Sequence, residues 1–118
     1  MPKRGDQEYV SDIAEAIRRL KFYTKGFTYP KFLGHTKTQD AVVRNLEIIG
    51  EAAKNISDEF KKKNKNIRWK KIAGMRDKLI HEYFGVNWDI VWDVVKLNLP
   101  ELERQIEQML QERGRNKK

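Results

Sequence analysis

Apolar side chains recur at steps of three and four residues along most of this chain. The clearest series lies between residues 38 and 63 and consists of Val42, Leu46, Ile49, Ala53, Ile56 and Phe60. Because an α-helix completes a turn about every 3.6 residues, such a series falls on one helix face. No segment alternates apolar and polar residues convincingly enough to indicate a strand. The sequence therefore predicts an all-α protein.

Interruptions of this periodicity divide the chain into separate helices. The predicted helices cover residues 6–25, 38–63 and 69–84, followed by a last helical stretch that begins at Asn87 or Asp89. Pro100 either kinks that last stretch or starts a new helix in its first turn. Trp88 and Trp92, four residues apart, are expected to pack into the core. Together these elements predict an antiparallel up-and-down bundle of four or five helices, with residues 1–118 as a single domain.

The segment from residue 26 to residue 37 is predicted to be a connecting loop that aromatic side chains anchor to the bundle. Gly26, Pro30 and Gly34 interrupt helical periodicity there. His35 has no second metal-type ligand spaced with it, so it is expected to be a loop residue. Thr38 is a suitable N-cap for the helix that follows.

The composition excludes several classes of protein. Cysteine is absent among the 118 residues, so neither a disulfide framework nor a thiolate metal site is available. No apolar run approaches the length of a membrane span, and the N-terminal residues lack the hydrophobic stretch of a signal peptide. The chain is expected to be cytoplasmic and to have no contact with a membrane.

The formal charge of +8 favours a polyanionic partner, because each lysine or arginine placed against a phosphate releases condensed counterions. Much of the excess lies in one run: Lys61, Lys62, Lys63, Lys65, Arg68, Lys70 and Lys71. The run is either a solvated loop or a phosphate-binding surface just upstream of Arg76. A basic tail from about residue 113 is expected to contribute less, because terminal residues are commonly disordered.

The segment RDKLIHEY, residues 76–83, combines an arginine, a histidine and a tyrosine. Arg76 offers a planar fork of donors for a phosphate. His81 can take and give a proton near neutral pH, as transfer of a proton from an RNA 2′-hydroxyl requires. The two residues lie about 140° apart around an ideal helix. Either the helix loosens near His81, or the site draws on a second copy of the chain; the competing interpretation is a helix-terminal cap beside a surface arginine.

Two carboxylates, Glu47 and Glu51, interrupt the apolar face of the predicted helix over residues 38–63. One turn apart, they suit a metal or acid–base pair, or an ion pair with Arg44 or Arg76. We favour the ion pair, which would hold the Arg76 guanidinium in place. Two carboxylates without a histidine or a third acid make a poor metal cage.

Three sequence blocks in this order make the chain similar to a known family. They are AVVRNLEIIGEAAKNIS (residues 41–57), IRWKKIAGMRDKLIHEYFGV (residues 67–86) and DIVWDVV (residues 89–95). With these blocks the chain resembles the HEPN superfamily, and within it the HepT-like toxins, whose signature is R-x4-H-x-Y. The resemblance runs from about Tyr9 to Leu110.

The resemblance implies a metal-independent RNA endonuclease that needs no cofactor and works as a homodimer on tRNA or mRNA. Arg76 and His81 would be catalytic, and withdrawal of a 2′-hydroxyl proton would leave a 2′,3′-cyclic phosphate. The resemblance also implies a small nucleotidyltransferase antitoxin of the MntA type, which adds AMP to Tyr83 and so neutralises the toxin.

Other residues would support this site. Asp77 occupies a position that is often asparagine in the family, and its carboxylate would soften the charge of Arg76. Glu51 is the second supporting residue. RNA-binding roles are assigned to Arg68, Lys70, Lys71 and Lys78. The alternative to an active toxin is a catalytically silent binding module that serves as an adaptor for the nucleotidyltransferase.

Overall fold

The computed structural model describes the backbone of residues 4–80 and 86–116 and the side chains of residues 4–75 and 86–112. Its elements are α1 (Asp6–Thr24), α2 (Tyr29–Leu33), α3 (Thr36–Asn55), α4 (Asp58–Lys63), α5 (Trp69–Ile80), α6 (Trp88–Asp93), a π-helical turn (Val94–Asn98) and α7 (Leu99–Asn116). All of them are helical, which confirms the all-α prediction. None of the helices in this part of the chain combines the length and apolar character needed to cross a membrane.

The core lies where α3 packs against both α1 and α5, while α7 packs against α1. Helices α1 and α3 supply most of its fully buried side chains: Val10, Ile13, Ile17, Leu20, Val42, Leu46 and Ile49. The apolar face of α3 is therefore the one that the periodicity predicts. Leu102 and Ile106 of α7 are also buried in this core.

The helix predicted over residues 38–63 is two helices, so that prediction was wrong. Ile56 and Ser57 are extended, with ψ of 139° and 152°, and they separate α3 from α4. The Ser57 hydroxyl caps α4 by accepting a hydrogen bond from the Phe60 amide at 3.2 Å. The Asp6 carboxylate at the start of α1 accepts hydrogen bonds from the Ser57 amide at 2.8 Å and from its hydroxyl at 2.7 Å. These polar contacts end the helix although its apolar spacing continues.

The segment predicted as a loop contains the short helix α2, which is a second correction. The Thr28 hydroxyl accepts a hydrogen bond from the Lys31 amide at 3.3 Å and caps the helix. Pro30 lies in the first turn, where a helix does not need the missing N–H. The expected aromatic anchor is confirmed, because Phe32 is fully buried and its ring lies 4.9 Å from Trp92 and 5.7 Å from Trp88.

The last helical stretch starts as predicted. The Asn87 side chain caps α6 by accepting a hydrogen bond from the Ile90 amide at 3.2 Å. Pro100 is the second residue of α7, where a helix tolerates the missing N–H. The π-helical turn immediately before it links α6 to α7, so helical backbone continues from residue 88 to residue 116. Trp88 and Trp92 are half-buried against Phe32.

Replacement of Phe32 tests how much α2 contributes to the core. Phe32→Ala should lower the free energy of unfolding by about 3–5 kcal/mol, because it empties a fully buried aromatic site. Leu33→Ala removes the neighbouring apolar side chain, which is 45% exposed, and should cost about 1 kcal/mol or less. Urea denaturation of both variants measures the difference. If Phe32→Ala cost no more unfolding free energy than the small loss expected for Leu33→Ala, α2 would not anchor the bundle.

Candidate nucleic-acid interface

Helix α5 carries basic residues at its N-terminal end and the first residues of the predicted motif toward its C-terminal end. Its first residue, Trp69, is 5% exposed, and the indole Nε1 donates a hydrogen bond to the Asn64 carbonyl at 3.0 Å. The Trp69 ring also packs edge-on against Phe60, with 6.1 Å between ring centroids. Trp69 thus fixes the start of α5 against the turn that follows α4. The flanking Arg68 and Lys70 are left exposed.

The motif is only partly within the described residues. Arg76, Asp77 and Lys78 lie on α5, which is helical up to Ile80, but their side chains lie outside the described residues. The same is true of His81 and Tyr83 as a whole. The arrangement of Arg76, His81 and Tyr83 therefore stays a prediction.

The two carboxylates of α3 have different surroundings. Glu47 is half-buried, whereas Glu51 is exposed and accepts a long hydrogen bond from the Asn55 amide at 3.4 Å. Of the ion pairs that the sequence suggests, the one between Glu51 and Arg44 is absent among the described residues. The ion pair with Arg76 stays a prediction, because that side chain lies outside them. Nor do the described residues contain a group of three His, Asp or Glu side chains that could hold a metal.

A cleft of about 850 Å³ lies beside the first turns of α5. Six cationic side chains from α3, α4, α5 and the turn between the last two line it: Lys54, Lys61, Lys65, Arg68, Lys70 and Lys71. Ile67 and Trp69, both nearly fully buried, also contribute to its lining. Among the described residues, Asp58 is the carboxylate that lines the cleft. We call this feature the basic cleft.

The basic cleft is built differently from the charged surface of α1. There the arginines are paired: Arg4 contacts Asp12 at 2.8 Å, and Arg18 donates hydrogen bonds to Glu15. The Arg18 hydrogen bond is the largest cause of the lowered pKa of the Glu15 carboxyl. Within the described part of the chain, none of the six cations of the basic cleft makes an ion pair. Their positive charge is therefore available to an anionic ligand.

The structure brings together only some of the residues that the sequence suggests for RNA binding. Arg68, Lys70 and Lys71 all line the basic cleft, whereas the side chain of Lys78 lies outside the described residues. Lys54 was missed because it lies on α3, seven residues before the basic run, where no local pattern marks it.

His35, the second histidine of the chain, has a structural role. Its Nδ1 accepts a hydrogen bond from the Thr38 amide at 3.2 Å and so caps α3. The Thr38 hydroxyl lies 2.7 Å from the same nitrogen. Thr38 was therefore the wrong choice of cap, because α3 begins two residues earlier, at Thr36. As predicted, His35 precedes the helix as a loop residue.

Comparison with known proteins finds matches that are all named as ribonucleases. A family model described as "Ribonuclease HepT-like" matches residues 13–109. The chain is 47% identical over 107 residues to "Probable ribonuclease HepT" of Thermococcus cleftensis, covering 91% of this chain and 97% of that protein. It is 41% identical over 112 residues to "Putative RNase MJ0127" of Methanocaldococcus jannaschii, covering 95% and 93%. With "Putative RNase TTE0752" of Caldanaerobacter subterraneus subsp. tengcongensis the identity is 47% over 103 residues, covering 87% and 92%. No solved structure matches the chain.

Proposed function

Because this chain belongs to the HepT-like ribonuclease family, we propose that it is a metal-independent endoribonuclease with Arg76 and His81 as its catalytic residues. The family match carries the proposal, since it extends over residues 13–109 and so includes the whole motif. The basic cleft supports it, because RNA-binding surfaces need cations that are not already paired with carboxylates. The substrate would be a cytoplasmic tRNA or mRNA.

The proposed mechanism is transfer of the phosphodiester to the neighbouring 2′-hydroxyl. His81 withdraws the 2′-hydroxyl proton, and the 2′-oxygen forms a bond to phosphorus. Arg76 stabilises the negative charge that develops on the phosphorane oxygens. The bond from phosphorus to the 5′-oxygen then breaks, and that oxygen takes a proton. The products are a 2′,3′-cyclic phosphate and a 5′-hydroxyl.

Other residues of the motif region would position these groups. Asp77 would orient the histidine or the arginine, and Glu51 would help to hold the Arg76 guanidinium. Tyr83 would donate a hydrogen bond to a phosphate until it is modified. Lys78 would bind RNA next to the motif, and the cations of the basic cleft would bind it farther away.

Replacement of the two catalytic residues tests this mechanism. Arg76→Ala and His81→Ala should each reduce cleavage of total RNA by at least about a hundredfold, because each removes a group that acts in the transition state. Wild type should cut equally well with and without a chelator. The matched control is His35→Asn, which keeps a capping side chain on α3 and should cut normally. Undiminished cleavage by Arg76→Ala and His81→Ala, with melting temperatures equal to wild type, would refute the assignment.

We further infer that the active form is a homodimer. The motif supplies one histidine per chain, yet the reaction needs both a base and an acid. A twofold axis would bring two copies of His81 to one groove, so that one takes the 2′-hydroxyl proton and the other protonates the leaving oxygen. The shared groove would also combine the positive charge of two chains.

Light scattering tests the dimer. The expected mass is twice the 14.1 kDa of the chain at micromolar concentration. The dimer should persist in His81→Ala, because that substitution removes a polar proton-transfer group and not an apolar side chain. Full cleavage activity in a sample that scatters as a monomer would exclude the shared groove.

The toxin assignment rests on Tyr83, which lies two residues beyond the catalytic histidine. Coexpression with an MntA-like nucleotidyltransferase should yield protein that carries AMP on Tyr83 and no longer cuts RNA. The bulky anion would block and repel the substrate phosphate. Tyr83→Phe should stay unmodified and active, whereas the control Tyr23→Phe should still be modified. Peptide mass spectrometry locates the adduct. Silencing of Tyr83→Phe by a covalent adduct at another residue would show that Tyr83 is not the point of control.

A further inference from the structure

The basic run is sorted into two groups by the helical geometry of α4 and the turn after it. Lys61 and Lys65 line the basic cleft, whereas Lys62 and Lys63, also described, lie outside it. Lys63 instead contacts Glu59 at 3.6 Å on the exposed side of α4. The cleft also recruits Lys54 from α3. If the run were only a solvated loop, its lysines would not line the same cleft as cations from α3 and α5.

The chemistry of the cleft fits a sugar–phosphate backbone. Its volume of about 850 Å³ is far larger than one phosphate needs, and it is in the range of cavities that hold extended ligands. The large apolar side chains that are well exposed in the described part of the chain are Phe22, Leu33 and Leu97, and none of them lines it. A protein partner or a membrane would therefore find cations there around apolar residues that are mostly buried, and no large apolar side chain that is well exposed.

The cleft also lacks the features of base recognition. Its aromatic side chain, Trp69, is buried, and its indole N–H is already bonded to Asn64. Stacking on an exposed aromatic ring is thus not available among the residues described there. Contacts from lysine and arginine to phosphates position a nucleic acid without reading its sequence. The ligand should be held irrespective of its base sequence.

The cleft and the motif occupy consecutive parts of α5. Ala73 is the cleft residue nearest to the motif along α5 and lies roughly 5 Å from Arg76 along the helix axis, whereas Trp69 lies roughly 10 Å from it. The end of α5 at Ile80 lies roughly 16 Å from Trp69. The cleft cations that lie toward Trp69 and the motif cannot share one phosphate, so a substrate that touches both must extend over more than one nucleotide.

We propose that the basic cleft is an RNA-backbone exosite, which holds a segment of the substrate beside the phosphate that is cut. This inference rests on the proposed function, because it takes the motif as the place of cleavage. The substrate class is RNA that is long enough to reach both the basic cleft and the motif. The exosite binds this RNA without sequence preference.

The experiment compares two double variants that carry the same change of charge. Lys61→Ala/Lys65→Ala removes two cations from the cleft, and Lys62→Ala/Lys63→Ala removes two from the same run outside it. The probe is a fluorescent 20-nucleotide 2′-O-methyl RNA, which has no free 2′-hydroxyl and cannot be cut by the proposed mechanism. Fluorescence anisotropy measures its dissociation constant as a function of salt concentration.

Removal of the cleft lysines should weaken binding at 0.15 M salt by about 15-fold, or about fourfold per lysine, from the counterion released at each phosphate contact. The plot of the logarithm of the dissociation constant against the logarithm of the salt concentration should become less steep, its slope decreasing by about 1.4. The outer pair should change binding by less than about threefold. Lys54→Ala should cost about fourfold although it lies outside the run. Asp58→Asn should strengthen binding, because it removes the carboxylate from the cleft.

Cleavage kinetics on the unmodified 20-mer give the second readout. The cleft variant should raise KM by about 15-fold and leave kcat unchanged, since it weakens binding away from the reacting atoms. Equal effects of the two double variants would overturn the exosite, because the run would then act only by diffuse attraction. A wild type that cuts no RNA but shows the expected difference in binding would instead refute the proposed function and leave the cleft as an RNA-binding surface without a cleavage site.

Discussion

The packing of α3 between α1 and α5 is the constraint on which the rest of the structure depends. Buried side chains of α3 occupy a wide arc of the helix, because the stripe of Val42, Leu46 and Ile49 is supplemented by Asn45 and Ala52. A helix buried over such an arc fixes the helices on both sides of it. Helix α5 therefore holds a set position relative to α3, and so do the basic residues at its start. The motif arginine follows two turns later on the same helix.

The break between α3 and α4 gives this frame its basic cleft. If the helix had continued past Ile56, as its apolar spacing suggests, Lys61 and Lys65 would lie on a straight continuation of α3. The Asp6 carboxylate instead bonds the amide and the hydroxyl of Ser57, and the Ser57 hydroxyl starts α4 in a new direction. The turn after α4 leads back to Trp69 and α5. Cations from three helices and this turn consequently line one cavity, where a straight helix would have carried several of them away from it.

The features predicted from sequence are those that depend on local patterns. The helical class and the buried face of α3 follow from apolar spacing, and the start of α6 follows from the capping side chain of Asn87. The break at Ser57 depends on Asp6, which lies 51 residues away in the chain, and such a contact leaves no local trace. Helix α2 did have local signals, the Thr28 cap and Pro30 in its first turn, but the same proline also marks loops.

Chemical reasoning and family resemblance, not spacing, point to Arg76 and His81, because their separation does not suit one face of a regular helix. Lys54 joins the basic cleft only through the packing of α3 on α5.

The distribution of charge explains how cleft and motif would act together on a bound RNA chain. At physiological salt the Debye length is about 8 Å, so the cations of the cleft act strongly on one another and on anything that enters it. Lys71, the cleft cation nearest to Arg76 along α5, lies roughly 8 Å from it along the axis, which is about one Debye length. The cleft therefore acts on the motif arginine only in part through its field. Its contribution is to the affinity for a polyanion that reaches both places, which separates binding from chemistry along a single helix.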